Sequence, residues 1–92
     1  MDNLTNFDIS QYLDNEEVIA EYLTQVLNDG NNEEFLEAIG HIAKAKGMSK
    51  IAKDTGLGRE SLYKSFSGRT KPKFETVMKV INSLGVKLKV AV

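Results

Sequence analysis

The sequence predicts an all-α domain of five helices followed by a short C-terminal β-strand. Apolar residues recur at intervals of three and four along most of the chain, which is the spacing of one helix face. Glycines, asparagines and the single proline separate these segments, and the last seven residues instead alternate Val or Leu with Lys or Ala. Because 92 residues close one hydrophobic core and rarely two, residues 1–92 are expected to form a single domain.

Residues 14–46 are expected to form two acidic helices, of which the first begins near Asp14. Asp14 and Glu17 have the spacing of a capping box, and Gly30 ends the helix. Its apolar face consists of Val18, Ile19, Tyr22, Leu23, Val26 and Leu27. One amphipathic helix is therefore expected before Gly30.

The second acidic helix has a cap at Asn31 or Asn32 and ends before Gly47. Its apolar positions are Phe35, Leu36, Ile39, Ile42 and Ala43. Their spacing predicts a helix that buries one face against the same core.

A helix-turn-helix is expected within residues 48–67, as two short helices joined at Gly56. Ala52, four residues before Gly56, supplies the small side chain that a close helix crossing needs, and Gly56 adopts a positive φ without steric cost. The apolar anchors of both helices are Ile51, Leu57, Leu62 and Phe66. This pattern predicts that the second helix lies in the major groove of DNA.

The final core helix is expected over residues 73–85, after the sole proline. Its buried positions are Phe74, Val77, Met78, Ile81 and Leu84. Residues 86–92 have strand periodicity, and a lone strand needs a partner. Three partners remain open: residues 4–10, the same tail of a second subunit, or another protein.

Charge is divided sharply along the chain. Residues 1–43 contain ten carboxylates and no Lys or Arg, whereas residues 44–92 contain twelve Lys and Arg against three carboxylates, a net charge of +9. This polarity indicates one surface for a polyanion and another for a basic partner; two solvated faces that merely balance are the alternative. With no cysteine, no export signal and no membrane span, a cytoplasmic protein is expected.

The segments SKIAKDTG, RESLYKSF and SGRTKPKFETVMKVINSLG resemble the Xre/Cro (lambda-repressor-like) helix-turn-helix family. The resemblance covers about residues 47–88 and implies a first motif helix and turn, a recognition helix, and a loop with a last helix. Gly58 departs from the family, which commonly has Ser or Thr there as the N-cap. Gly caps less strongly, so a looser start of the recognition helix is expected.

The whole chain, through FDISQYLDNEEVIAEYL, IGHIAKAKGMSKIAKDTGLGRESLYKSFSG and TVMKVINSLGVKL, resembles the addiction-module antidote family related to HigA antitoxins. That resemblance implies repression of its own operon and neutralisation of a small RelE/HigB-like toxin, usually a basic ribonuclease. A basic toxin would be attracted to the carboxylate-rich surface. The expected partners are double-stranded operator DNA, the toxin and a second copy in a homodimer.

The candidate DNA-binding residues lie on the exposed side of the predicted motif and in the basic loop that follows it. Arg59 is expected to bond guanine, whereas Glu60 either accepts from cytosine or serves the helix dipole. Tyr63 either reaches phosphate or is partly buried. The full set is Ser49, Lys50, Arg59, Glu60, Ser61, Tyr63, Lys64, Arg69, Thr70, Lys71 and Lys73.

No enzyme, cofactor or metal site is expected. His41 is the sole histidine, and no nucleophile is identifiable beside it. Two alternatives to an antitoxin remain open, a stand-alone phage-type repressor and an interaction module that does not touch DNA. The DNA-binding hypotheses predict that changing Arg59 or Lys64 reduces binding, whereas the interaction module predicts that binding is unaffected.

Overall fold

Four α-helices form the body of the molecule in a computed structural model, which describes residues 9–92. A short 3-10 helix (Ile9–Tyr12) precedes α1 (Glu16–Asp29), α2 (Asn32–Thr55), α3 (Arg59–Ser65) and α4 (Phe74–Ser83). The described chain is all-helical, as the apolar spacing indicated.

The prediction of five helices is wrong. Residues 32–46 and 48–55, which were expected to be separate helices, form the single helix α2. Gly47 does leave helical geometry, with φ 114° and ψ 104°, but no connecting segment is inserted there. A glycine can take this conformation at one position, so the two helical segments of α2 meet at a kink at Gly47 without a loop between them.

The prediction of a C-terminal strand is also wrong. Residues 86–92 have no regular structure and pair with no strand among residues 9–92. Val86 is buried and Leu88 half-buried, whereas Val90 and Val92 are exposed. A strand requires a hydrogen-bonding neighbour, and every regular element of the described chain is a helix; most of the predicted partner, residues 4–8, lies outside the described residues.

Asparagine side chains cap the two helices of the acidic half. Asn15, and not the predicted Asp14, caps α1 by accepting from the Val18 N–H at 3.1 Å. At α2 both hydrogen bonds of a capping box are present. Asn31 Oδ1 accepts from the Glu34 N–H at 2.8 Å, and Glu34 Oε1 accepts from the Asn31 N–H at 2.9 Å. Each cap satisfies N–H groups that the first turn of a helix leaves without partners.

Helix α2 is the centre of the fold, because α1, α3 and α4 each pack against it. The core contains no buried polar residue among those described. Its buried members are Ile19, Leu23, Val26, Ala38, Ile39, Ile42, Ala43, Met48, Ile51, Leu62, Phe66, Val80, Ile81, Leu84 and Val86. Phe74, predicted to be buried, is instead 69% exposed, because it is the first residue of α4 and precedes the part of that helix that meets α2.

The C-terminal end of α3 approaches α2 at Gly40. A Cβ at this glycine would lie 2.8 Å from the Phe66 carbonyl oxygen and 3.0 Å from the Phe66 Cβ. Glycine thus allows the two segments to approach closely, and Phe66 fills the core beside them.

Candidate nucleic-acid interface

A tight turn joins α2 to α3 and fixes their relative orientation. Gly56 has φ 76°, and its N–H donates to the Ala52 carbonyl oxygen at 2.9 Å. Thr55 Oγ1 donates to the Ile51 carbonyl oxygen at 2.7 Å and accepts from the Leu57 N–H at 3.2 Å. The polar groups of the turn are therefore bonded within it, and the turn has the left-handed glycine that the sequence predicted.

One face of α3 is buried and the opposite face is polar. Leu62 within the helix and Phe66 at its end are buried, as is Ile51 on α2, while Leu57 packs partly against the same core. The predicted contact residues of α3 all face solvent: Arg59, Glu60, Ser61, Tyr63 and Lys64. The helix therefore presents a row of hydrogen-bonding side chains on a rigid support.

Arg59 and Tyr63 contact each other one turn apart on this exposed face. The guanidinium carbon of Arg59 lies 5.8 Å from the centre of the Tyr63 ring. A cation over an aromatic face at an exposed site is stabilised by about 0.5–1 kcal/mol. Tyr63 therefore restricts the Arg59 side chain while leaving its donors accessible.

The loop after α3 folds back onto the end of that helix. Ser67 Oγ and Thr70 Oγ1 donate to the Lys64 carbonyl oxygen at 2.9 and 3.0 Å, and the Arg69 N–H donates to Ser67 Oγ at 3.2 Å. The Ser67 N–H also donates to this carbonyl, at 3.4 Å, so several donors converge on the end of the helix. Thr70, predicted to contact DNA, therefore uses its hydroxyl proton within the protein.

Three cations of this loop, Arg69, Lys71 and Lys73, are exposed. Ser67 and Thr70 hold the first part of the loop against the end of α3, so Arg69 lies between two residues that are bonded to that helix. We call α3 and residues 66–73 together the basic surface.

Ser49 and Lys50 lie within α2, shortly after Gly47, and both are exposed. Lys50 Nζ contacts Asp54 Oδ2 at 2.9 Å, an ion pair one helical turn apart on the surface. Such pairs contribute only about 0.3–0.5 kcal/mol, so Lys50 can exchange this partner for another anion at little cost.

The helices α3 and α4 begin without side-chain caps, unlike α1 and α2. Gly58 before α3 and Lys73 before α4 make no side-chain hydrogen bond to the first turn. The uncapped N–H groups carry partial positive charge, which suits an anion. Gly58 was the one position that departed from the expected N-cap residue, and it is the N-cap of α3 in the structure.

The sequence predicted the wrong environment for Phe74, which lies in the same region. Its helical spacing with Val77 and Ile81 suggested the core, yet it is exposed next to Lys73 at the start of α4. Its position directly after Pro72 and Lys73 could have indicated exposure. A helix begins there, and the first residue of a helix often precedes the residues that pack against the core.

The carboxylates of the first half form a second charged region on α1 and the start of α2. Its exposed members are Glu16, Glu17, Glu21, Asp29, Glu33, Glu34 and Glu37; we call them the acidic surface. Burial raises the pKa of the Tyr22 phenol on α1 above its ordinary value through desolvation, so Tyr22 is uncharged at neutral pH. Both α1 and α3 pack on α2 and make no extensive contact with each other.

Neither a metal centre nor a membrane segment is present in residues 9–92. No cluster of His, Asp or Glu there is arranged to hold an ion, and no helix there is both long and apolar enough to cross a bilayer. His41 is exposed on α2.

Comparison with known proteins gives two matches. A family described as probable addiction module antidote protein matches residues 3–92. A Haemophilus influenzae protein described as uncharacterized is 45% identical over 89 residues, which cover 97% of this chain and 92% of that protein. No solved structure matches the chain significantly.

Proposed function

We infer the function of this chain from the family to which it belongs, the probable addiction module antidote proteins, whose match spans residues 3–92. An antidote implies a toxin partner. We propose that the chain is the DNA-binding antitoxin of a type II toxin–antitoxin module in the cytoplasm. In this role it neutralises a RelE/HigB-like toxin and, as a dimer, represses its own operon through a helix-turn-helix of the Xre/Cro type.

The observation that carries the DNA-binding part is the basic surface itself. A helix with a buried apolar face presents Arg59 and Lys64 outward, and a loop bonded to its end adds further cations. An exposed helix fits the width of the major groove, and flanking cations neutralise the phosphates on either side.

Base reading and phosphate binding are assigned to different parts of this surface. Arg59, with Glu60 and Lys64 as neighbours on α3, reads base edges. Arg69, Lys71 and Lys73 bind phosphates, as do Ser49 and Lys50 at the start of the predicted motif. Ser61 and Tyr63 add polar contacts, and Thr70 acts by shaping the loop.

The acidic surface is the proposed site of the toxin. The first 43 residues contain no Lys or Arg, and the carboxylates of α1 are exposed on a helix that makes no extensive contact with α3. A basic protein is attracted to such a field, which accelerates encounter and orients the complex. The α1 part of the acidic surface and the basic surface then lie on different helices.

Coexpression tests the antitoxin role. The full chain is expressed untagged with a tagged product of the adjacent open reading frame, and the two are copurified. We expect a small basic protein that retains the chain through moderate salt. Replacing Glu16, Glu17 and Glu21 together by Gln should reduce retention, whereas the control Glu60→Gln on α3 should not.

Two outcomes contradict this proposal in different ways. If no neighbouring product retains the chain, the chain is not the antidote of that locus. If the triple variant is retained as well as the wild type, the toxin binds elsewhere than α1.

A further inference from the structure

A carboxylate of the acidic half lies directly against the basic loop. Glu37, on α2, contacts Gly68: a Cβ at Gly68 would lie 2.8 Å from both Cγ and Oε2 of Glu37. Gly68 also has φ 84°. The absence of a side chain at Gly68 is therefore needed both for the turn and for the approach of Glu37.

This contact puts a negative charge within the surface proposed to bind phosphate. Gly68 is followed by Arg69, and the loop continues to Lys71 and Lys73. Among residues 9–92 the ion pair within 4 Å is Lys50 with Asp54, so Glu37 is not held in a direct salt bridge with the loop cations. Its charge therefore acts on whatever approaches the loop.

We propose, on the basis of the proposed DNA-binding function, that Glu37 limits the affinity of the basic loop for DNA phosphates. Two unit charges of like sign several ångströms apart repel each other even in water, and the repulsion is larger near a protein surface. The aliphatic part of Glu37 positions the loop by packing on Gly68, while its carboxylate opposes phosphate binding. Neutralising this one charge strengthens binding to DNA of any sequence.

The test compares charge-neutralising variants of matched size. Glu37→Gln keeps the packing on Gly68 and removes the charge, and Glu37→Met does the same without an amide. Glu21→Gln is the control, because it makes the same change in net charge on α1, away from the loop. Each full-length protein is titrated against a labelled duplex from upstream of its own gene and against a scrambled duplex, at two salt concentrations.

Glu37→Gln should bind both duplexes about two- to fivefold more tightly at low salt, as expected for one like charge removed near the phosphates. The gain should shrink at higher salt, where the Debye length is shorter. Glu21→Gln should have a clearly smaller effect. Circular dichroism melting verifies that each variant is folded. Glu37→Met replaces Glu37→Gln in the comparison if the amide disturbs the loop.

If the wild type binds DNA but folded Glu37→Gln and Glu37→Met bind no more tightly, the role of Glu37 is overturned. The proposed function is not affected by that result. An equal gain from Glu21→Gln also overturns it, because net charge alone would then explain the effect. If the wild type binds neither duplex, the proposed function fails and this inference fails with it.

Discussion

Arg59 is the residue whose side-chain type, position and contacts best fit the proposed reading of base edges. It begins α3, faces solvent, and lies over the Tyr63 ring. The two parallel donors of a guanidinium match O6 and N7 of guanine, an arrangement that a lysine does not reproduce.

Changing Arg59 to Ala should cost on the order of 1–3 kcal/mol on the operator and much less on random duplex, because a base-edge contact exists only on the right sequence. Fluorescence anisotropy with both duplexes measures this difference. Equal losses on the two would show that Arg59 only neutralises phosphate, and would transfer specificity to Glu60, Lys64 or DNA shape.

Lys71 and Lys73 should behave differently from Arg59, because they lie in the loop and not on α3. Replacing both by Ala should weaken operator and random duplex alike. The dependence of log affinity on log salt should flatten by up to about 0.9 per lost phosphate contact, since fewer counterions are released. A loss confined to the operator would instead make these lysines base-reading residues.

Residue types indicated the left-handed turn at Gly56, the N-cap position of Gly58 and the exposure of the polar face of α3. They did not indicate the contacts that Thr70 and Glu37 make. Thr70 bonds a carbonyl six residues earlier, and Glu37 meets Gly68 across 31 positions of sequence. Contacts between distant segments depend on how the helices pack, which local spacing does not contain.

At the scale of elements, the close contact between α2 and the end of α3 determines where α3 lies. Gly40 allows this approach, and the atoms it would meet are a backbone carbonyl and a buried side chain, which have little freedom to move.

Gly40→Ala should therefore destabilise the fold by about 1–3 kcal/mol through overpacking. The exposed neighbour His41→Ala is the control and should change the free energy of unfolding by less than about 0.5 kcal/mol. Urea unfolding monitored by circular dichroism measures both. Equal midpoints for Gly40→Ala and wild type would mean that α3 is free to shift on α2.

The helices themselves were largely predictable from sequence, whereas the junction at Gly47 and the structure of residues 86–92 were not. Apolar spacing located α1, α4 and both parts of α2, and the Asn31 cap was among the two expected. The break at Gly47 was expected to separate two helices, yet the chain changes direction within one residue and continues as α2. The alternation of apolar and other residues in 86–92 predicted a strand. Such periodicity indicates which side chains can be buried, but a strand also needs a hydrogen-bonding partner.

At the scale of the whole molecule, the exposed carboxylates of α1 and the start of α2 form the acidic surface, and the cations of α3 and of the loop after it lie on the basic surface. They are arranged around α2, which contacts both α1 and α3. Charge division in the sequence therefore indicated two functional regions, but only the fold shows that they meet at Glu37 and Gly68.

Recognition of operator DNA by a pair of these chains is the central claim. One recognition helix reads only a few base pairs, so two chains related by two-fold symmetry should bind half-sites about 34 Å apart. The most direct measurement titrates the full chain against the duplex upstream of its own gene and a scrambled duplex at physiological salt, with sedimentation of the complex to count chains. The expected result is two chains per duplex and an operator affinity at least about 10³-fold above that for scrambled DNA. Equal affinity for the two duplexes, or no binding to either, would contradict the claim.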